Sequence, residues 1–92
     1  MSWQLNGLVK LHWRHWSSEW AVFDVGSGQT HQMDTLTAVT LIMIEAGAID
    51  LPALLGLVAS ELLLPNDLQL SIAVTDILKS LTGSGMLEAT AS

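Results

Sequence analysis

The sequence predicts an α+β fold: a three-stranded antiparallel sheet followed by three helices. Two observations carry this. The first third of the chain holds all four Trp, all three His and the only Phe, and aromatic and β-branched residues suit a pleated, half-buried surface. From about Met33 onward the apolar residues fall instead at helical spacing, with Asp, Gly and Pro at the breaks.

The strands come first. Residues 8–33 read as a meander. Trp13-Arg14-His15-Trp16 runs to a Ser17-Ser18 break, and Glu19-Trp20-Ala21-Val22-Phe23-Asp24-Val25 returns. Gly26-Ser27-Gly28 supplies a hairpin turn, because glycine adopts positive φ cheaply. Gln29-Thr30-His31-Gln32-Met33 is then the third strand. It lies at an edge, is polar, and has no Pro to block its backbone groups.

Asp34 caps a first helix that reaches Ala46 and stops at Gly47. Leu36, Val39 and Met43 form its apolar side. Asp50 caps a second, in which Pro52 is tolerated in the first turn. Leu54, Leu55, Val58 and Leu62 form its stripe. Leu63-Leu64-Pro65-Asn66 breaks the chain, and Asn66 or Asp67 caps a third helix to about Thr82. Gly83-Ser84-Gly85 ends that helix, Met86-Leu87-Glu88 makes a short extra strand, and Ala89–Ser92 reads as a loose tail.

The third helix has two apolar sides. Leu70, Val74, Ile77, Leu78 and Leu81 form the core stripe. Leu68, Ile72, Thr75, Asp76 and Lys79 follow a second. Spacing alone favours the core for Leu68 and Ile72, with a groove open to a partner as the alternative.

Composition narrows the function. The chain has 92 residues and a formal charge of −6. That length suits one domain, read as residues 1–92, with no room for separate cofactor and substrate domains. Half the residues are hydrophobic and 13% are charged, which argues against disorder. Cys is absent, so disulfides, thiolate metal sites and a Cys nucleophile are excluded. Three basic residues against nine acidic ones oppose a grip on nucleic-acid phosphates. No basic start precedes an apolar run in MSWQLNGLVK. Glu45, Asp50 and Glu61 interrupt the greasiest stretch, so no membrane helix of roughly 20 apolar residues is expected. The expectation is a soluble cytoplasmic domain.

No catalytic constellation emerges. His12 and His15 are three apart on a strand, hence on opposite faces and unable to chelate one ion together. His31 has no obvious carboxylate beside it, so no metal or other cofactor is expected. Ser17 or Ser18 lacks a nucleophile elbow. Gly26-Ser27-Gly28 lacks the length and the Lys of a phosphate loop. Asp24, Asp34, Asp50 and Asp67 are explained by turns and caps. The chain is read as a non-enzyme.

The sheet is apolar on both faces. Leu11, Trp13 and His15 share one, and His12, Arg14 and Trp16 the other. The helices cover one face; the second either packs on another copy or a partner, or carries a few half-buried Trp. Three strands followed by three helices is a winged-helix-like layout. DNA binding is the weak reading, since Lys79 alone would face phosphate beside Asp67 and Asp76.

These residues resemble a known family. Trp13-Arg14-His15-Trp16, Glu19-Trp20-Ala21-Val22-Phe23 and Ser27-Gly28-Gln29-Thr30-His31, with Leu36 opening the helix, look like the PqqD family of peptide chaperones. They look most like its HPr-kinase-related branch. The similarity runs from about Trp3 to Glu88, and Leu81 and Gly85-Met86-Leu87 match the ending loosely. The resemblance implies a precursor-recognition domain without enzymatic activity. The leader of a ribosomally made precursor peptide would add as a strand beside Gln29, Thr30, His31, Gln32 and Met33. It would pack on Leu68, Ile72, Thr75, Asp76 and Lys79 of the third helix, and be presented to a modifying enzyme, an HPr-kinase-related one in this branch. The physics is compatible: an unpaired edge offers main-chain hydrogen bonds while apolar pockets choose side chains. The same edge permits a homodimer by self-pairing. The remaining alternative is a homo-oligomeric scaffolding module without peptide binding.

Overall fold

The computed structural model describes residues 1–17 and 19–90. Its elements are β1 (Ser2–Leu5), β2 (Leu11–Trp16), β3 (Glu19–Asp24), β4 (Gln29–Met33), α1 (Thr35–Glu45), β5 (Ile49–Asp50), α2 (Leu51–Leu62), α3 (Leu68–Gly83) and β6 (Leu87–Thr90). The expected meander is the antiparallel sheet β2-β3-β4, and β4 is the strand anticipated third. The three helices follow it in the expected order, giving the α+β fold.

A second antiparallel sheet, β5-β1-β6, departs from expectation. It joins the two ends of the described chain, from Ser2 opposite Thr90 to Leu5 opposite Leu87. Ala89 and Thr90 are therefore strand, not loose tail, and the Thr90 hydroxyl donates to the Ser2 carbonyl at 3.3 Å. Ala91 and Ser92 lie outside the described residues. Such short strands exist only because a distant segment pairs with them, so local propensity carries little sign of them. The meander also starts later than expected, at Leu11. Before it, the Asn6 side chain accepts from the Leu8 amide at 2.9 Å, and Leu8 is left 85% exposed. Ser17 turns with φ 55°; Ser18, the rest of the expected break, lies outside the described residues.

Each helix starts on an aspartate. Asp34 accepts from the Thr37 amide at 2.8 Å, Asp50 from Ala53 at 3.0 Å and Asp67 from Leu70 at 3.0 Å. Each bond satisfies one of the backbone donors a helix start leaves over. Pro52 sits in the first turn of α2, where no donor is lost. Leu63 ends α2 in the left-handed region at φ 55°.

The core joins Val22 of β3 to Leu41 and Ile44 of α1 and to Leu54 and Val58 of α2. Leu70, Val74, Leu78 and Leu81 of α3, then Met86 and Leu87, complete it. Thr40 is fully buried there, and its hydroxyl donates to the Leu36 carbonyl at 2.8 Å, which removes the cost of an unpaired buried group.

Candidate functional site

Edge strand β4 pairs with β3 on one side only, in the register Trp20–Met33, Val22–His31 and Asp24–Gln29. In an antiparallel ladder, alternate residues then direct N–H and C=O away from the partner. Among the described residues no strand takes up those groups. Gln29, His31 and Met33 share the sheet face of Val22, the core-facing side, and Thr30 and Gln32 share the opposite one.

The turn before β4 fixes where the edge begins. Asp24, only 6% exposed, accepts from the Ser27 hydroxyl at 2.9 Å, the Gly26 amide at 3.0 Å and the Lys10 amide at 3.4 Å. The Ser27 hydroxyl holds the Asp24 carboxyl below its ordinary value, with the amides adding and desolvation opposing. Gly28 takes φ 75° and its amide donates to the Asp24 carbonyl at 2.8 Å. A Cβ on Gly26 would overlap the Leu8 carbonyl oxygen.

A cleft of about 300 Å³ opens beside this turn. Gln29 and His31 line it from β4, Ser84, Gly85 and Met86 from beyond α3, and Asn6, Leu8 and Val9 from the turn before β2. The start of β4 and the end of α3 thus meet. Gln32 and Met33 border a separate depression with Glu19, Trp20 and Asp34, and Thr30 borders a groove on the outer sheet face.

The second stripe of α3 is not core. Leu68 is 74% and Ile72 55% exposed; Asp76 and Lys79 are exposed and Thr75 half-buried. This corrects the expectation from spacing. Helix α3 packs on β6, α1 and α2 and buries the side of Leu70, Val74, Leu78 and Leu81, while the side of Leu68 and Ile72 stays exposed. None of the five lines the cleft beside β4. The cleft residues that sequence reasoning missed belong to the Asn6–Val9 turn and the chain beyond α3. The Asn6-Gly7 pair is a turn signal for the first, and Gly83-Ser84-Gly85 marks a helix end for the second without marking a cleft.

The aromatic residues divide as their strand parity requires. On the inner face Trp20 packs edge-on to Trp13 at 6.0 Å and stacks on His15 at 3.9 Å. Among the described residues the buried Trp20 indole N–H meets no acceptor. Trp16 and Phe23, on the outer face, are 46% and 41% exposed. Among the described residues, no cluster of three or more His, Cys, Asp or Glu is placed to hold a metal. None of the helices is long and apolar enough to cross a membrane.

No family model and no curated protein matches the chain. Among solved structures it is similar to TbiB1 in complex with the TbiA(beta) leader peptide, with a TM-score of 0.71. The alignment covers 97% of this chain and 99% of that one at 16% identity. At that identity the likeness is one of fold.

Proposed function

We propose that the chain is a non-enzymatic peptide-binding adaptor, a precursor-recognition domain of the PqqD kind. It takes the leader of a ribosomally made precursor as an added strand along β4. The observation that carries this reading is the polar, unpaired edge of β4 in a fold shared with a protein whose solved form holds a leader peptide. Main-chain bonds at Gln29 to Met33 supply affinity, and side chains over α3 supply choice. Leu68 and Ile72 receive apolar leader residues, Thr75 and Asp76 border them, and Lys79 meets an acidic one. The bound precursor is then offered to a modifying enzyme, an HPr-kinase-related protein being the candidate from the family resemblance. The adaptor works in the cytoplasm, where precursors are made.

The test is affinity capture of peptides from the source cell's lysate, read by mass spectrometry, with the wild type beside two sets of variants. Ile72→Glu places a charge on the helix wall. Thr30→Pro and His31→Pro each delete one amide of β4, and of two neighbouring amides one points away from β3. The expected result is a peptide held by the wild type and lost in Ile72→Glu and in the folded Pro variant. Equal recovery of peptide by all folded variants, or recovery of nothing but the chain itself, sinks the reading.

A further inference from the structure

The outer face of the sheet β2-β3-β4 leaves Trp16 and Phe23 exposed. On β2, His12, Arg14 and Trp16 stand opposite Phe23, Ala21 and Glu19 of β3. The Val25 amide donates to the Lys10 carbonyl at 2.9 Å while the Lys10 amide turns to the Asp24 carboxylate, so the regular ladder ends at Leu11 and Asp24 with Lys10 next to Val25 just beyond it. His12 and Arg14 therefore stand beside Phe23 and Ala21, with Lys10 and Val25 adjoining at one end. A groove of about 620 Å³ lies here, bordered by His12, Trp13, Arg14, Phe23, Val25 and Thr30. Ala21 makes its floor, 7% exposed although on the solvent side, because it is the small residue between Arg14 and Gln32.

Charge says what the groove fits. The chain carries nine carboxylate side chains and three Lys or Arg, yet Arg14 lines this groove and Lys10 adjoins its Val25 end. No carboxylate borders the groove; Glu19 stands at the far corner, opposite Trp16. Among the described residues Arg14 forms no ion pair, so its charge is available. Phe23 and Val25 stay 41% and 48% exposed, apolar area that one end of a partner segment would cover.

We propose that this face docks an acidic segment of a partner protein, its carboxylates along Lys10 and Arg14 and an apolar anchor over Ala21 against Phe23 and Val25. Rows of like charge beside exposed aromatics favour complementary partners and repel wrong ones. The surface lies across the sheet from the core-facing side chains of β4, and it does not depend on the peptide reading of β4. The two sites meet at Thr30, which borders the groove and belongs to β4.

The test is an NMR titration of the isotope-labelled full chain with three synthetic peptides. They share one set of Leu and Phe anchors and carry Glu, Lys or Gln between them. The Glu peptide is expected to shift amide signals of residues 10–16 and 21–25. Arg14→Glu should weaken it by about tenfold or more, as should high salt, and Ile72→Glu should leave it unchanged. Equal response to the Lys peptide, no response at millimolar peptide, or undiminished binding by folded Arg14→Glu overturns the proposal. So do shifts confined to β4 and α3, or shifts that follow the protein's own concentration without peptide. Loss of binding in Ile72→Glu alone would assign the peptide to the β4 site and likewise overturn it.

Discussion

The indole N–H of Trp13 donates to the carboxylate of Glu45 at 3.1 Å, tying the middle of β2 to the last residue of α1. This bond is a polar link between that sheet and the helices. Glu45→Ala should cost about 1 kcal/mol, the usual net worth of one such bond. Glu45→Gln, whose carbonyl still accepts, should cost less than half of that. Urea unfolding followed by tryptophan fluorescence reads both. An Ala variant as stable as wild type would mean that water serves Trp13 equally well.

The two sides of α3 predict opposite mutational behaviour. Ile72 is 55% exposed and Leu78 1%, although both are apolar and less than two turns apart. Ile72→Glu should change stability by no more than about 0.5 kcal/mol, as surface changes do. Leu78→Ala should cost about 2–5 kcal/mol through lost burial and the cavity left behind. Thermal melts separate these outcomes. A large loss in Ile72→Glu would return Ile72 to the core and remove it from the peptide wall.

Much of the fold was legible because its signals are local. Asp34, Asp50 and Asp67 announce three helix starts by chemistry confined to one turn. Gly28 announces the hairpin by its backbone freedom. The sheet β5-β1-β6 was not legible, because Ser2–Leu5 is a strand only through partners such as Leu87–Thr90. The site divides the same way. The polar edge at Gln29–Met33 follows from the meander. The exposure of Leu68 and Ile72 depends on which neighbours α3 lacks, and helical spacing is blind to that.

Gly26 and Gly28 lie in one turn, yet their substitution should fail for different reasons. A Cβ on Gly26 meets the Leu8 carbonyl oxygen, a backbone atom that cannot swing aside. Gly28 has open space around it but a φ of 75°. Gly28→Ala should cost about 1–2 kcal/mol, the usual strain of the left-handed region. Gly26→Ala should cost more and shift the amide signals of residues 8–10 along with the turn. A variant with undisturbed signals there would show that the turn relaxes away from Leu8.

Asp24 gives the turn a pH dependence of known sign. The Ser27 hydroxyl and the Gly26 and Lys10 amides lower its folded-state value below the ordinary 3.8, so near that pH the unfolded chain binds the proton more readily. Stability contributed by Asp24 is therefore complete above about pH 4 and is lost as pH falls through the lowered folded value. Asp34, lowered by its bonds to Thr37, adds a parallel loss in the same window. Asp24→Asn cannot titrate and keeps only part of the hydrogen bonding. It should be less stable than wild type at pH 7, and the gap should close as both are taken below about pH 4. Urea midpoints for the two proteins from neutral pH down to pH 3 measure this. A gap that stays constant would mean the Asp24 carboxylate is no better held in the turn than in the unfolded chain. A closing gap would make the start of β4, and with it the proposed peptide edge, the acid-sensitive part of the sheet.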